Sequence, residues 1–173
     1  MQISTELVKQ LREKTNAGVL ECKKALEEVG GDVGRAARIL LEQGYAIAEK
    51  KRARTVSEGL VETYVHPGGR IAAIVEVNCE TDFVARTEQF KQLAHDLAMQ
   101  VAATDPSFIS PEDIPQGQSP DAEACLLLQP FIKDPQKTVQ DLIAEAVGKF
   151  RENIRVRRFA RFELGRYNEP AKV

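Results

Sequence analysis

Residues 60–79 read LVETYVHPGGRIAAIVEVNC, and this stretch decides the fold. Two runs rich in β-branched residues flank Pro67-Gly68-Gly69. Strand-forming runs on both sides of a proline–glycine turn predict a β-hairpin. Most of the remaining chain has the apolar spacing of helices, so the hairpin indicates a protein of the α+β class.

The stretch NIRVRRFARFEL, residues 153–164, predicts a third strand, which we expect to be antiparallel. Successive side chains of a strand point to opposite faces. One face would then carry the apolar residues Ile154, Val156, Ala160, Phe162 and Leu164. The other would carry Arg155, Arg157, Phe159 and Arg161. An outward Phe159 suits a protein contact or a dimer edge.

Two later segments have the apolar periodicity of helices that would cover this small sheet. The first holds Phe90, Leu93, Ala94, Leu97 and Val101. The second, residues 138–150, holds Val139, Leu142, Ile143, Ala146 and Val147. Residues 104–120 contain four of the eight prolines and predict an irregular connection, followed by a short helix or turn over 121–134.

The first 52 residues predict three short helices. Ser4 can cap the first, and the second stops at Gly30-Gly31. Asp32 can cap the third, which we expect to end near Gly44. The predicted organisation is therefore a three-helix module (1–45), a basic linker (46–55), an α+β core and dimerisation domain (56–166) and a C-terminal tail (167–173).

Composition excludes several classes of function. The 173 residues carry a formal net charge of −2, which argues against nucleic-acid binding by the molecule as a whole. No apolar run approaches the roughly 20 residues that cross a bilayer. The N-terminus, MQISTELVKQ, lacks the regions of a secretory signal, so we expect a cytosolic protein.

The cysteines and histidines do not predict a metal site or a catalytic site. Cys22, Cys79 and Cys125 form no CxxC pair and no ligand spacing with His66 or His95. We expect Cys22 and Cys79 in the core and Cys125 to be less buried. The chain has no GxSxG, HExxH or phosphate-binding glycine loop, so we expect a protein without catalytic groups.

The turn TNAGVLECKKAL, residues 15–26, is one candidate for a partner contact. Val19 and Leu20 are consecutive apolar side chains at the start of a helix. Because a helix buries one stripe, one of the two would be exposed or at an interface. Packing of both inside a small bundle is the equally supported alternative.

The stretch ETDFV, residues 80–84, is the second candidate. Thr81 or Asp82 can cap a helix that follows the buried strand, but capping does not require Phe83. Phe83 is either a roof on the sheet or a protruding anchor. Residue chemistry alone leaves both readings open.

The arginine-rich strand offers a nucleic-acid interpretation. Its arginines alternate with Phe150, Phe159 and Phe162, which could stack on bases. A strand with one solvated face explains the same spacing, because arginine stems cover apolar neighbours. We favour this structural interpretation. A nucleic-acid binder would lose affinity steeply with salt.

Three ordered motifs resemble the bacterial elongation factor Ts family over nearly the whole chain. They are LVKQLREKTNAGVLECKKALEEVGGDV (7–33), EVNCETDFVA (76–85) and ENIRVRRFARFELG (152–165). The compact, proline-rich region before QPFIKD resembles the short form of the family.

The resemblance implies a guanine-nucleotide exchange factor without cofactors that binds elongation factor Tu, GDP-bound and nucleotide-free, during translation elongation. It implies that Thr81, Asp82, Phe83 and Val84 disturb the partner's magnesium and phosphate site. It further implies that Arg12, Val19, Leu20 and Lys23 contact the partner's nucleotide domain from a ubiquitin-associated-like (UBA-like) module.

Family members often have Met-Met where this chain has Val19-Leu20, which keeps apolar character and loses the adaptable thioether. Short members also suggest a homodimer; Ala160 rules out the disulfide that some of them could form before RFELG. The alternative of another class is a non-enzymatic adaptor, a UBA-like module tethered to a dimeric scaffold. Under both the family interpretation and the adaptor interpretation, we expect no membrane partner.

Overall fold

The computed structural model describes residues 3–117 and 121–166; the tail predicted at 167–173 lies outside the described residues. The chain divides into two compact units, Met1–Val56 with Asp141–Ile154, and Ser57–Gln140 with Arg155–Val173. The described residues form six α-helices: α1 (Thr5–Thr15), α2 (Val19–Glu28), α3 (Val33–Lys51), α4 (Asp82–Ala85), α5 (Glu88–Thr104) and α6 (Val139–Phe150). The strands are β1 (Glu58–Val65), β2 (Ile71–Cys79), β3 (Pro130–Phe131), β4 (Asp134–Thr138) and β5 (Arg155–Glu163). The α+β prediction is therefore confirmed.

The first two helices begin and end, and the third begins, as the sequence predicts. The Ser4 hydroxyl accepts a hydrogen bond from the Leu7 amide at 3.3 Å, and Asp32 accepts one from Arg35 at 2.9 Å. Asn16 ends α1 in the left-handed region at φ 54°. Within this three-helix segment, one cluster of buried apolar residues consists of Leu11, Ala17, Cys22, Ala25, Leu26 and Ala36.

The expected end of α3 near Gly44 is wrong, because the helix continues to Lys51. Most of the segment read as a basic linker is therefore helical. Gly44 instead permits a close approach of α6: a Cβ atom built on it would overlap the carbonyl oxygen of Ala144. The Tyr45 hydroxyl donates to Asp141 at 2.5 Å on the same side. Residues 141–154 consequently cluster with the first helices.

The predicted hairpin and third strand form a three-stranded antiparallel sheet in the order β1-β2-β5. Helix α5 packs on one face with the apolar positions predicted for it. The buried residues of this layer are Ala73, Val75, Val77, Phe90, Leu93, Ala94, Leu97 and Val101. One of the two helices predicted to cover the sheet, α5, does so. The expectation for residues 138–150 is wrong, because Asp141–Ile154 belongs to the other compact unit.

The predicted faces of β5 are wrong beyond a β-bulge. Val77 pairs with Val156 and Glu76 pairs with Arg158, so Arg157 is an extra residue that reverses the alternation. Phe159 consequently lies opposite buried Val75 and is half-buried.

Phe162 is 60% exposed on the other face, contrary to prediction. We call this face, with the exposed side chains Val61, Val65, Ile74 and Phe162, the outer sheet face.

A buried glutamine attaches residues 129–132 to α5. The Gln100 amide nitrogen donates to Gln129 Oε1 and to the Pro130 carbonyl, both at 3.1 Å. Its oxygen accepts from the Ile132 amide at 2.9 Å. The short turn predicted here is present as a single 3-10 turn at Leu126–Leu128 next to the two-stranded β3–β4 hairpin.

All three cysteines are buried, and none of them forms a disulfide. This confirms the core positions of Cys22 and Cys79 and corrects the expectation for Cys125, which has no exposed surface. Burial raises the pKa of the Cys22 and Cys125 thiols above the ordinary value. Within the described ranges, no helix has the length and apolar character needed to cross a membrane.

Candidate partner-binding site

Phe83 is the most exposed large apolar side chain of the described residues, at 79%. It lies on α4, a single helical turn that follows β2. The neighbouring Val84 and Ala85 are buried, at 6% and 4% exposed, and anchor the turn. The buried Val84 and Ala85 anchor the turn, while the Phe83 ring protrudes from it. Because the ring is largely exposed, the interpretation of Phe83 as a roof on the sheet is excluded.

The turn is fixed at its start by Thr81. Its hydroxyl oxygen accepts from the Val84 amide at 3.4 Å, so Thr81 rather than Asp82 is the N-cap. The Thr81 carbonyl accepts from the Cys79 thiol at 3.2 Å. The end of β2 and the start of α4 are therefore tied to each other.

Asp82 forms an ion pair with Arg86, with 2.8 Å between the carboxylate and the guanidinium. The two side chains are 57% and 80% exposed, so water screens the pair and it adds little stability. In the free protein the Asp82 carboxylate thus lies against the Arg86 guanidinium. Any partner group that donates a hydrogen bond to Asp82 must compete with Arg86.

A network of side-chain hydrogen bonds links the three strands of the sheet that leads into this turn. The Asn78 amide donates to the Glu58 carbonyl of β1 and to Glu76, both at 3.2 Å. Arg158 of β5 donates to Glu76 at 2.7 Å. Arg158, and then Asn78, lower the pKa of the Glu76 carboxyl below its ordinary value. Arg158 thus has a structural partner.

Val19 and Leu20 are both exposed at the start of α2, at 51% and 73%. The alternative of both packing in the bundle is therefore wrong. Gly18 donates its amide to Glu21 at 3.2 Å, which closes the turn that displays them. The Arg12 side chain donates to the Ala17 carbonyl at 3.4 Å, which links α1 to the loop just before this turn.

An open groove of about 620 Å³ runs between α1 and α2. Its lining includes three of the predicted contact residues, Arg12, Val19 and Lys23, and the apolar Ile3 and Val8. Leu20 is exposed on the same turn as Val19. The structure therefore brings the predicted contact residues of the first unit together on one surface.

Three residues at these surfaces were not identified from the sequence. Arg86 and Thr87 had local signals, since Arg86 lies four positions after Asp82 and Thr87 stands at the N-cap position of α5. Arg151, at the end of α6, pairs with Glu21 beside the Val19-Leu20 turn. Because 130 positions separate that pair, no local pattern predicts it.

Each of the two histidines has a polar neighbour on β1. His66 Nδ1 is 3.3 Å from the Tyr64 hydroxyl, and His95 Nδ1 is 3.5 Å from Glu62. Over residues 3–117 and 121–166, no group of three or more His, Cys, Asp or Glu side chains is placed to hold a metal ion.

A family model described as Elongation factor TS matches residues 4–120 and 118–166, which together span most of the chain. The chain belongs to the elongation factor Ts family. The two matched segments meet in the proline-rich connection, and all three motifs of the sequence fall inside them.

Proteins named elongation factor Ts are similar to this chain over nearly its whole length. The one from Thermodesulfovibrio yellowstonii is 48% identical and covers 95% of this chain and 98% of its own. The relatives from Carboxydothermus hydrogenoformans and Koribacter versatilis are each 46% identical. The two matches cover 94% and 100% of this chain, respectively, and 89% and 93% of the relatives' own lengths. The protein is thus an elongation factor Ts of translation.

Proposed function

We propose that this elongation factor Ts binds elongation factor Tu carrying GDP and promotes GDP release by disturbing the magnesium and phosphate site. The observation that carries the proposal is the exposed Phe83 ring on a capped, anchored turn. The proposed site of action is the cytoplasm, where elongation takes place. Exchange of this kind requires no catalytic group and no cofactor of its own.

The energetics of exchange follow from linkage. A factor that weakens nucleotide binding is itself bound more weakly, by the same ratio, when nucleotide is present. Burying one phenylalanine ring contributes roughly 1.5–3 kcal/mol, and a tenfold change in affinity needs about 1.4 kcal/mol. The Phe83 ring alone therefore accounts for about one to two powers of ten, and contacts elsewhere must supply any larger effect.

In the proposed mechanism, Phe83 enters the partner as a wedge and Asp82 hydrogen-bonds to the displaced groups. Thr81 caps the turn, and Val84 anchors it from below instead of touching the partner. Since the ring is already exposed in the free protein, docking requires no prior conformational step.

The surface formed by Arg12, Val19, Leu20 and Lys23 is proposed to grip the partner's nucleotide domain. Exposed apolar side chains beside a groove with cationic residues suit a partner surface that combines apolar and acidic groups. The three helices that carry this surface are proposed to adopt a UBA-like arrangement and to form the partner-binding module.

Release of labelled GDP from purified elongation factor Tu tests the proposed function. We expect the wild-type protein to accelerate release in a concentration-dependent, saturable way. A nucleic-acid binder would instead bind labelled single-stranded RNA with an affinity that falls steeply with salt. Arg158 and Arg161 are engaged by Glu76 and Glu163, which supports the proposal that the arginine strand binds no nucleic acid directly.

Leu20→Asp should weaken binding to elongation factor Tu about fivefold, because it places a charge where apolar contact is expected. Leu20 is largely exposed, so the thermal midpoint should hardly change. Titration calorimetry with the GDP-free partner measures the affinity. Leu164→Asp, at an exposed leucine of the second unit, is the matched control and should bind like wild type. Equal affinities for the two variants would argue against the proposed grip.

We also propose a homodimer that buries the outer sheet face. Val61, Val65, Ile74 and Phe162 are exposed on this face, and Val65 and Phe162 flank Ala72 in the same row of the sheet. A cluster of exposed apolar side chains on one sheet face is typical of a protein interface. This replaces the predicted role of Phe159, which is half-buried.

Phe162→Asp should convert the dimer into a monomer, because a carboxylate would be buried without a partner in the interface. Analytical ultracentrifugation over a concentration series measures the change. Phe162→Leu keeps the apolar contact and should remain dimeric. A wild-type protein that stays monomeric over the whole series would refute the dimer and leave the exchange proposal unaffected.

A further inference from the structure

We propose that Thr87 is a positioning residue for the Phe83 wedge, holding α4 at a fixed angle on α5. This inference rests on the proposed exchange function. It concerns a residue that lies outside the ETDFV stretch and does not itself need to touch the partner.

The Thr87 hydroxyl takes part in hydrogen bonds with both helices. It donates to the Val84 carbonyl of α4 at 2.8 Å and accepts from the Phe90 amide of α5 at 3.2 Å. The backbone of the same residue repeats the connection. The Thr87 amide donates to the Val84 carbonyl at 3.0 Å, and its carbonyl accepts from the Lys91 amide at 3.1 Å. One side chain therefore joins the end of α4 to the start of α5.

The start of α5 is a rigid support. Phe90 has no exposed surface, and Leu93 and Ala94 in the next turn are also buried against the sheet. By contrast, α4 is only four residues long, and a helix this short is not stable by itself. The direction of Phe83 is consequently set by the buried Val84 and Ala85 and by the contacts that hold the two ends of α4.

Thr81 and Thr87 hold those two ends, but they differ in what they add. Thr81 caps the start of α4 and belongs to the predicted wedge. Thr87 bonds to the C-terminal end of α4 and also to the first turn of α5, so it fixes α4 relative to α5. A wedge fixed before docking loses less conformational entropy on insertion, so it reaches the exchange transition state more easily.

The chemistry of the position needs a hydroxyl. A hydroxyl donates one hydrogen bond and accepts others, so it can serve both helices at once. Serine retains the hydroxyl and so can both donate and accept. Valine has the shape of threonine without the hydroxyl, and alanine has neither the shape nor the hydroxyl. These three substitutions therefore separate hydrogen bonding from side-chain volume.

The test measures GDP release from elongation factor Tu as a function of the concentration of each variant. We expect Thr87→Val and Thr87→Ala to lower the maximal release rate about fivefold, the equivalent of one net hydrogen bond. The half-saturating concentration should change less than twofold, because the partner-contacting side chains remain. Thr87→Ser should restore the maximal rate. Should Thr87→Val fail to fold, the Ala and Ser variants still decide the matter.

Asp32→Ala is the matched control for stability. Asp32 also caps a helix, α3, and its loss should lower the thermal midpoint by an amount similar to Thr87→Ala. Its maximal release rate should equal that of wild type. An equal loss of rate in Asp32→Ala, or a wild-type maximal rate in both Thr87→Ala and Thr87→Val, would overturn the inference.

Wild type and Phe83→Ala in the same experiment separate this inference from the proposed function. If wild type does not accelerate release, the exchange function and the inference both fail. If wild type accelerates release and Phe83→Ala does not, while the Thr87 variants behave like wild type, the positioning inference fails alone.

Discussion

Phe83→Ala should slow stimulated GDP release at least tenfold while leaving the fold intact. The ring is 79% exposed in the free protein, so its removal takes away little intramolecular packing. In the complex its burial would contribute roughly 1.5–3 kcal/mol, or about one to two powers of ten. The loss should appear in the maximal release rate, because the wedge acts on the nucleotide site after docking.

Stopped-flow release of fluorescent GDP and a circular-dichroism melt measure the two halves of this prediction. Phe83→Leu keeps part of the apolar volume and should fall between wild type and Phe83→Ala. Leu164→Ala removes an exposed apolar side chain that belongs neither to the Phe83 turn nor to the defined outer sheet face, and should release GDP at the wild-type rate. A wild-type rate for Phe83→Ala, or a large fall in its melting temperature, would contradict the wedge.

Gly44→Ala should lower the free energy of unfolding by about 1–3 kcal/mol. In an exposed helix the same change stabilises by up to about 1 kcal/mol. Here the new methyl group would overlap the Ala144 carbonyl of α6, and a backbone atom cannot rotate away. Gly148 reinforces the constraint, since a Cβ atom at that position would lie 3.3 Å from the Gly44 Cα. Helices α3 and α6 would therefore have to separate.

Gly34→Ala is the matched control in the same helix. A Cβ atom at Gly34 would be 3.4 Å from the Asp32 carboxylate, an ordinary van der Waals distance. The control should be neutral or stabilising, whereas Gly44→Ala should be destabilising. Urea denaturation gives both values. A stabilising Gly44→Ala would show that α3 and α6 are not in tight contact at this crossing.

The sequence predicted the elements whose signals are local. The hairpin turn, the caps at Ser4 and Asp32 and the apolar stripe of α5 are each specified by neighbouring residues. The exposure of Phe83 was not decided by local chemistry, since a phenylalanine in a first helical turn can cover a sheet or leave it. The family resemblance favoured Phe83 as a protruding anchor, and the ring is exposed in the structure.

The features that the sequence did not predict depend on distant residues. Gly44 resembles a helix end until α6, about a hundred positions later, is placed against it. The bulge at Arg157 arises from pairing with β2, and strict alternation gives no sign of it. Both cases show a local pattern overruled by tertiary packing.

The assignment of α6 to the first unit has a consequence for biosynthesis. Helices α1–α3 leave the ribosome first, but Asp141, Ala144 and Asn153, which contact residues 44–54, are made much later. At about 5–20 residues per second, on the order of 100 further residues take roughly 5–20 s to synthesise. During that interval the nascent unit has its α6-facing side uncovered. Its last packing step therefore comes late in translation, and a fragment ending at residue 56 is structurally incomplete.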